Sequence, residues 1–307
     1  AGADSYNTAV GYQAGNDITT GIQNTLIGAL AGDALTVAES NVAVGTGALG
    51  SETKGSRNIA IGENALLAQN NTTASSPYNV AIGYNSGKGV TTGIENVLIG
   101  GLAGDALTDA DNNLAIGQNA LGADTLGSRA VAIGPYTLAA QNFTTATNNY
   151  NVAVGYAAGN DITTGTSNTL IGGLAGDALT TGAANVALGT SALSADTKGQ
   201  HNVAIGYQAL DAQNFTTATN SYNTAVGSAA GGAVTTGTTN TFVGGLAGDA
   251  VTTGAQNTFV GTNSGGATTT AAQNTAMGEG ALATNTTGGS NTALGRDAMY
   301  SNTTAPD

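Results

Sequence analysis

Asn7-Thr8-Ala9-Val10-Gly11 is the stretch that decides the fold, because close variants of it return along the whole chain. The next copies are Asn-Thr-Leu-Ile-Gly at 24–28 and Asn-Val-Ala-Val-Gly at 41–45. Seventeen copies occur, each with Gly at its fifth position, an aliphatic residue or Met at its fourth and, except at Ala130, Asn at its first. Self-similarity this strict is typical of a repeat architecture.

The spacing of the copies defines the organisation of the chain. Most copies start seventeen positions after the previous one, but the three steps that begin at Asn58, Ala130 and Asn202 are four positions longer. Three short steps and one long step make a longer, 72-residue period. We predict a single repeat solenoid over residues 1–307, with three 72-residue modules of four coils in 1–222 and five uniform coils in 223–307. Each long coil is expected to bulge outward, because extra loop residues lie on the surface.

The alternation within each copy predicts a short β-strand, since successive side chains of a strand point to opposite faces. The second and fourth positions are mostly Thr, Val or Ile, which strands prefer, and we expect this face, Ile171 included, to supply the packing. The middle position is usually Ala. Its larger occupants are expected to face partner chains: Leu26, Leu98, Leu170 and Phe242.

Together these features predict an all-β fold, a β-solenoid of the parallel β-roll or β-helix kind with seventeen coils of about 17 residues. Each coil should contain two short strands and two turns, and coils should stack at the ~4.8 Å distance between strands. The Asn side chains would then lie above one another and form hydrogen bonds along the stack. Gly at the fifth position would allow a positive φ or a close approach of the next coil.

Composition and charge exclude several classes of function. The net charge of −13 disfavours nucleic acid and anionic membrane surfaces. No apolar run approaches the ~18 residues of a membrane span, so no membrane insertion is expected. The absence of Cys excludes disulfides and thiolate chemistry. With neither a signal peptide nor an initial Met, we expect a segment or a processed product.

The polar residues offer weak candidates for chemistry. The single His, His201, follows Arg57 and Arg129 at 72-residue spacing, which indicates a basic surface column and no Ser–His–Asp arrangement. Acidic turn residues could hold Ca²⁺ through stacked oxygen ligands, and the candidates are Asp17, Asp33, Asp161 and Asp177. The sister turn at Asp105 has Lys88 beside it, which favours a solvated turn Asp instead. We therefore expect no enzyme, no metal and no cofactor.

Exposed aromatic residues are candidates for surface contact. Tyr12, Tyr84 and Tyr156 recur with the 72-residue period, and Phe143 and Phe215 lie in two of the predicted bulges. Aromatic rings can stack on sugars; alternatively, each Tyr covers the Gly of a neighbouring coil.

The Asn-x-Ala-(Val/Ile)-Gly core is similar to the head repeats of YadA-like trimeric autotransporter adhesins. The C-terminal stretches 274–282 and 291–304 resemble repeats in tail fibres of marine tailed phages. The resemblance implies a parallel homotrimer, outside the cell on a virion tail or a cell surface. It further implies a host-surface glycan or protein receptor as partner.

Three functions remain as hypotheses. The first is a structural extracellular fibre that mediates attachment, as a phage tail fibre or similar stalk, or alternatively as a bacterial adhesin or self-assembling surface filament. The second is an ice-binding solenoid, suggested by Thr pairs at 19–20, 91–92, 163–164 and 180–181, although these pairs skip coils. The third, an enzyme on a solenoid, lacks clustered carboxylates in the sequence.

Overall fold

The computed structural model describes residues 4–304 and forms two compact units, residues 1–150 and 151–307. In each unit the chain winds as a parallel β-solenoid, and the described residues contain no helix. Eight coils lie in the first unit and nine in the second, which confirms the predicted fold class and number of coils. The continuity of one solenoid over the whole chain stays a prediction.

The strands are short and evenly spaced. In the first unit they are β1 (Thr8–Val10), β2 (Thr25–Ile27), β3 (Val42–Val44), β4 (Ile59–Ile61), β5 (Val80–Ile82), β6 (Val97–Ile99), β7 (Leu114–Ile116), β8 (Gly127–Ser128), β9 (Val131–Ile133) and β10 (Thr147–Asn148). In the second unit they are β11 (Val152–Val154), β12 (Thr169–Ile171), β13 (Val186–Leu188), β14 (Gly199–Gln200), β15 (Val203–Ile205), β16 (Thr219–Asn220), β17 (Thr224–Val226), β18 (Thr241–Val243), β19 (Thr258–Val260), β20 (Thr275–Met277) and β21 (Thr292–Leu294).

Equivalent residues of successive coils pair in register. In β1 and β2, for example, Thr8 pairs with Thr25 and Ala9 with Leu26. The prediction of two strands in every coil is wrong, because most coils have a single three-residue strand and turns elsewhere. Among residues 4–304, two-residue strands form a second parallel pair beside two of the long coils, β8 with β10 and β14 with β16, and the remaining long coil has a single bridge between Gly55 and Ser75.

The predicted Asn column is confirmed within each unit. Asn24 is fully buried and donates its backbone N–H and its Nδ2 to Oδ1 of Asn7, at 2.9 and 3.2 Å. Its Nδ2 also donates to the carbonyl of Ala38 at 2.9 Å. At Ala130 the side-chain bonds are missing, but its backbone N–H still donates to Asn113. The column therefore satisfies buried polar groups that would otherwise be costly to fold.

The assignment of the strand faces from sequence is wrong. Leu26, Leu98, Leu170 and Phe242 are completely buried inside their own coils, so they do not face partner chains. Ile171, expected to pack inside, is 37% exposed, and Ile27 is 41% exposed. From β2 onward, the middle residue of each three-residue strand points into the coil, whether it is Ala, Leu or Phe, and the residues on either side of it point outward.

The interior compensates for each large strand residue with a small turn residue. A Cβ on Gly32 would lie 2.8 Å from the side chains of both Leu26 and Leu35. In the next two coils the strand residue is Ala, and the position of Gly32 is occupied by the buried Leu49 and Leu66. Close packing of this kind explains why the sequence repeats every four coils and not every coil.

The phenylalanines of the long coils are also buried, contrary to the predicted surface role. Phe143 and Phe215 are each 6% exposed. The ring of Phe143 covers the backbone of Gly127, where an added Cβ would lie 2.8 Å from it. The long coil therefore folds one aromatic residue back onto the preceding coil.

Replacing Phe143 with Ala should lower the free energy of unfolding by about 3 kcal/mol, because a buried aromatic contact is lost and a cavity is left. Tyr84→Ala, in the same unit, should change it by less than about 0.5 kcal/mol, since Tyr84 is 55% exposed. Chemical denaturation of both variants measures this difference. Equal losses would contradict the buried placement of Phe143.

Candidate functional site

Three acidic residues that the sequence analysis did not single out are completely buried. They are Glu52, Asp124 and Asp196, which recur with the 72-residue period in the coil before each long coil. A buried carboxylate is costly unless hydrogen bonds satisfy it. The sequence signal for these residues was their spacing, together with a Gln at the equivalent position of the following coil.

Hydrogen bonds surround each of these carboxylates. Oε1 of Glu52 accepts the backbone N–H groups of Thr53, Lys54 and Gly55 at 2.7–3.0 Å, and also that of Asn71 at 3.0 Å. Oε2 accepts from the side chains of Gln69 and Asn71, each at 2.8 Å. The carboxylate thus fixes the backbone of the turn at residues 53–55 and joins it to the long coil.

The Gln beside each carboxylate fills a gap in the Asn column. Where the long coil adds four residues, Nδ2 of Asn79 donates to Oε1 of Gln69 at 2.9 Å, while Nε2 of Gln69 donates to Glu52. In the second unit Asn223 donates to Gln213, and Gln213 donates to Asp196, at 2.8 and 2.6 Å. The carboxylate orients the amide of the Gln, because only its NH₂ group can face an acceptor.

The predicted basic column lies beside the long coils and is paired there with tyrosines. The guanidinium of Arg57 lies 6.0 Å from the ring centre of Tyr78, and that of Arg129 lies 6.0 Å from that of Tyr150. The ring of His201 stacks on Tyr222 with centres 5.2 Å apart. Arg57 and Tyr78 have φ of 63° and 54°, a left-handed backbone conformation held by the Asn that follows each of them.

A recess of about 300 Å³ opens beside Arg57 in the first unit. Its polar lining is Glu39, Lys54, Ser56, Arg57, Ser75 and Ser76. The recess lies next to a long coil, and sequence reasoning did not find it. Its cation Lys54 follows Glu52 by two residues and has its backbone N–H bound to that buried carboxylate at 3.0 Å.

The weak cation candidates are placed in turns and bonded within them. The backbone N–H of Asp17 donates to the carbonyl of Asp33, and Nδ2 of Asn16 donates to Oδ1 of Asp17 at 2.7 Å. Asp161 makes equivalent bonds with Asp177 and Asn160. Over residues 4–304 there is no group of three or more His, Cys, Asp or Glu side chains that could hold a metal ion.

Burial raises the pKa of Asp177 above its ordinary value, and repulsion from Asp161 and Asp211 raises it further. Burial is also the main cause of the raised pKa of Asp105 and of Asp249. One carboxylate oxygen of Asp177, Oδ1, is buried without a hydrogen-bond partner among the described residues. The ionised form of Asp177 is therefore disfavoured in the folded chain.

Asp177→Asn should raise the melting temperature at pH 7, because it removes a partly buried charge. Because the pKa of Asp177 is raised in the folded chain, the folded chain binds the carboxyl proton more tightly than the unfolded chain does. Protonation of Asp177 therefore stabilises the fold at low pH, and this stabilisation is lost as pH rises above about 3.9, the ordinary pKa of Asp. The advantage of the variant should therefore shrink as pH falls towards 4. Melting curves at both pH values measure it, and a variant that melts below the wild type at pH 7 would refute the sign.

The tyrosines proposed for surface contact are exposed: Tyr12 by 70%, Tyr84 by 55% and Tyr156 by 59%. Their role in contact stays a prediction.

Threonine rows run along the turns, and in the second unit they continue over five coils without a gap. The Thr pairs are 235–236, 252–253, 269–270, 286–287 and 303–304. In the first four pairs the hydroxyl of the first Thr donates to the backbone carbonyl of the equivalent Thr in the next coil, for example Thr252 to Thr269 at 3.2 Å and Thr269 to Thr286 at 3.1 Å. The second Thr of every pair is exposed. The pairs singled out from sequence skip coils, whereas this set does not.

No family model matches the chain, and no curated protein matches it at a significant level. In the part of the chain that the structure describes, no helix is long and apolar enough to cross a membrane.

Proposed function

We propose that this chain is a structural segment of an extracellular fibre, most simply a phage tail fibre or a similar stalk that brings a contact surface to its target. The observation that carries the proposal is the use of buried polar side chains: the Asn column and the buried carboxylates bond one coil to the next. Such bonds make a regular, stiff stack and leave these groups no catalytic task. A bacterial adhesin or a self-assembling surface filament is the alternative within the same proposal.

A second copy of the chain is the proposed partner, in a parallel homotrimer. The outward strand positions of the first unit are aliphatic in fourteen of sixteen cases and carry no charge. Val10, Ile27 and Ile59 are 58%, 41% and 37% exposed. A continuous aliphatic strip of this kind is unfavourable in water and marks an interaction surface. Identical coils match the spacing of a second copy along its whole length.

The oligomeric state tests this partner. Light scattering of the purified chain at micromolar concentration should give three times the mass of one chain. The double variant Ile27→Asp and Ile59→Asp should give a smaller assembly, whereas Thr20→Asp, on an exposed turn, should not. A monomeric mass for the wild type would rule out the proposed trimer.

The fibre proposal is tested by excising one module. Deletion of residues 151–222 joins Tyr150 to Asn223 and so recreates the Tyr–Asn junction found before every module. Electron microscopy should show elongated particles that shorten by about 19 Å, the height of four coils. Compact particles, or an unchanged length, would contradict a fibre.

Labelling distinguishes the settings of the fibre. Antibodies against the chain should label virion tails if it is a phage fibre, and cell surfaces if it is an adhesin or surface filament. Label confined to the cell interior would contradict both.

The Thr rows of 235–304 favour ice binding as the second candidate function. Two hydroxyl rows repeat at the spacing of the coils, and hydrogen bonds fix the inner row. A thermal-hysteresis assay tests this candidate, with Thr253→Tyr and Thr270→Tyr expected to abolish the activity. Absence of hysteresis in the wild type would remove it.

A further inference from the structure

The basic residues of this acidic chain are concentrated at one position of the coil. The chain has six Lys and Arg and one His. Five of these seven residues lie in the turn before the Asn column, beside a long coil: Lys54, Arg57, Arg129, Lys198 and His201. The chain as a whole is acidic, with a net charge of −13, so the clustering of basic residues in this turn does not follow from the overall composition.

The recess beside Arg57 is the most developed of these places. Its volume of about 300 Å³ is at the lower end of the range for small-molecule sites. That volume accommodates a sugar ring. Hydroxyl groups of Ser56, Ser75 and Ser76, one carboxylate and two cations surround it, which is a polar lining suited to a hydroxylated ligand.

Backbone hydrogen bonds hold the lining in place before any ligand arrives. The N–H of Arg57 donates to the carbonyl of Glu39 at 3.0 Å, and the N–H of Ser56 donates to the carbonyl of Ser75 at 2.9 Å. The N–H of Glu39 donates to Oγ of Ser56 at 3.0 Å. The guanidinium of Arg57 donates to Oγ of Ser76 and lies over the ring of Tyr78. A site that is already ordered loses less entropy on binding.

The two cations of the recess form no ion pair within the part of the protein that the structure describes. Among the described residues, no carboxylate lies within 4 Å of the charged nitrogens of Lys54 or Arg57. All the ion pairs among residues 4–304 involve Arg296, which is not part of the recess. Among the side chains that line the recess, two cations and the carboxylate of Glu39 leave one net positive charge. The nearby carboxylate of Glu52 is completely buried, and its oxygens are already bonded within the turn and to the long coil. An anionic group on a ligand would pair with the cations, while Glu39 would accept hydrogen bonds from ligand hydroxyls.

We propose that this recess binds a sugar acid, that is, a carboxylate-bearing unit of a surface glycan. The proposal rests on the proposed function in surface attachment and names the class of molecule that the surface presents. The second unit has a reduced version at the same coil positions, with Lys198, Gln200, His201 and Tyr222, but Ala183 where the first has Glu39. The first module is therefore expected to provide the stronger site.

Calorimetric titration of the full chain with trigalacturonate tests the proposal, with neutral galactotriose as the matched ligand. The wild type should bind the acidic sugar and not the neutral one. Lys54→Gln and Arg57→Gln should each raise the Kd about tenfold or more, since each removes a charge-assisted hydrogen bond. Lys88→Gln removes the same charge from an exposed site in the same unit and should leave the Kd unchanged.

Three results would overturn the proposal. The first is no heat of binding for trigalacturonate with the wild type. The second is an equal loss of affinity in Lys88→Gln, which would indicate a nonspecific effect of charge. The third is inorganic sulfate binding as tightly as the sugar acid, which would leave a simple anion site. A fibre that shortens correctly on excision of residues 151–222 and yet binds no acidic sugar would reject this site alone.

Discussion

Replacing Gly172 with Ala should lower the free energy of unfolding by about 3–5 kcal/mol, the combined effect of backbone strain and overpacking. Gly172 is the fifth residue of its repeat and has φ of 135°, which side chains rarely adopt. A Cβ there would lie 2.5 Å from the carbonyl oxygen of Gly189 in the next coil. The contact is with backbone, so no side chain can move away to relieve it.

Its neighbour Gly173 provides the control. A Cβ on Gly173 would meet nothing within 4 Å, and its φ lies outside the left-handed region. Gly173→Ala should therefore change stability by less than about 0.5 kcal/mol or increase it slightly through the unfolded state. Urea denaturation of the two variants measures both values. Similar stabilities for the two variants would mean that coils are not stacked as closely as described.

Replacing Asp196 with Ala should lower the free energy of unfolding by a similarly large amount, about 3–5 kcal/mol. Its carboxylate is completely buried and accepts the N–H groups of Gly199 and Phe215 at 3.0 and 3.1 Å, and Nε2 of Gln213 at 2.6 Å. Truncation leaves all three donors buried without an acceptor. A buried donor without an acceptor costs more free energy than its hydrogen bond contributed to stability.

Asp196→Asn tests the reason for this loss. The Asn has nearly the same shape and still accepts the two backbone bonds, but its NH₂ group would face the NH₂ group of Gln213. The amide of Gln213 cannot flip, because its Oε1 would then lose the hydrogen bond that it accepts from Nδ2 of Asn223 at 2.8 Å. We expect a loss smaller than that of Asp196→Ala but above about 1 kcal/mol. If Asp196→Asn left the free energy of unfolding unchanged in thermal and urea denaturation, the carboxylate would not be what orients the Gln.

The repeat by itself determined the number of coils, their parallel stacking and the Asn column. A fixed spacing of identical residues leaves one way to align successive coils, and that alignment places each Asn beside its equivalents in the neighbouring coils. The invariant Gly at the fifth position also indicated the close approach that the distance at Gly172 confirms. These conclusions depend only on the spacing of the repeats, which can be read directly from a single sequence.

Only the tertiary structure decided which strand face is inside. Both faces of each strand carry apolar residues, so alternation could not distinguish them, and the face with Thr, Val and Ile was taken for the core. The interior takes the middle residue of each three-residue strand, so Ala187 is buried and the neighbouring Val186 and Leu188 are exposed. Where that middle residue is Leu or Phe, a Gly in the turn makes room for it. The tertiary structure also decided the burial of Phe143, because the inserted loop folds back onto Gly127 of the preceding coil instead of extending into solvent.

The candidate site was also decided by the tertiary structure. Sequence spacing placed Arg57, Arg129 and His201 in one column, but the residues that complete the recess come from three different coils. Glu39, Lys54 and Ser76 belong to three successive coils and line the same recess because these coils stack on one another. A one-dimensional period identifies equivalent residues, whereas a recess depends on how unequal coils fit together.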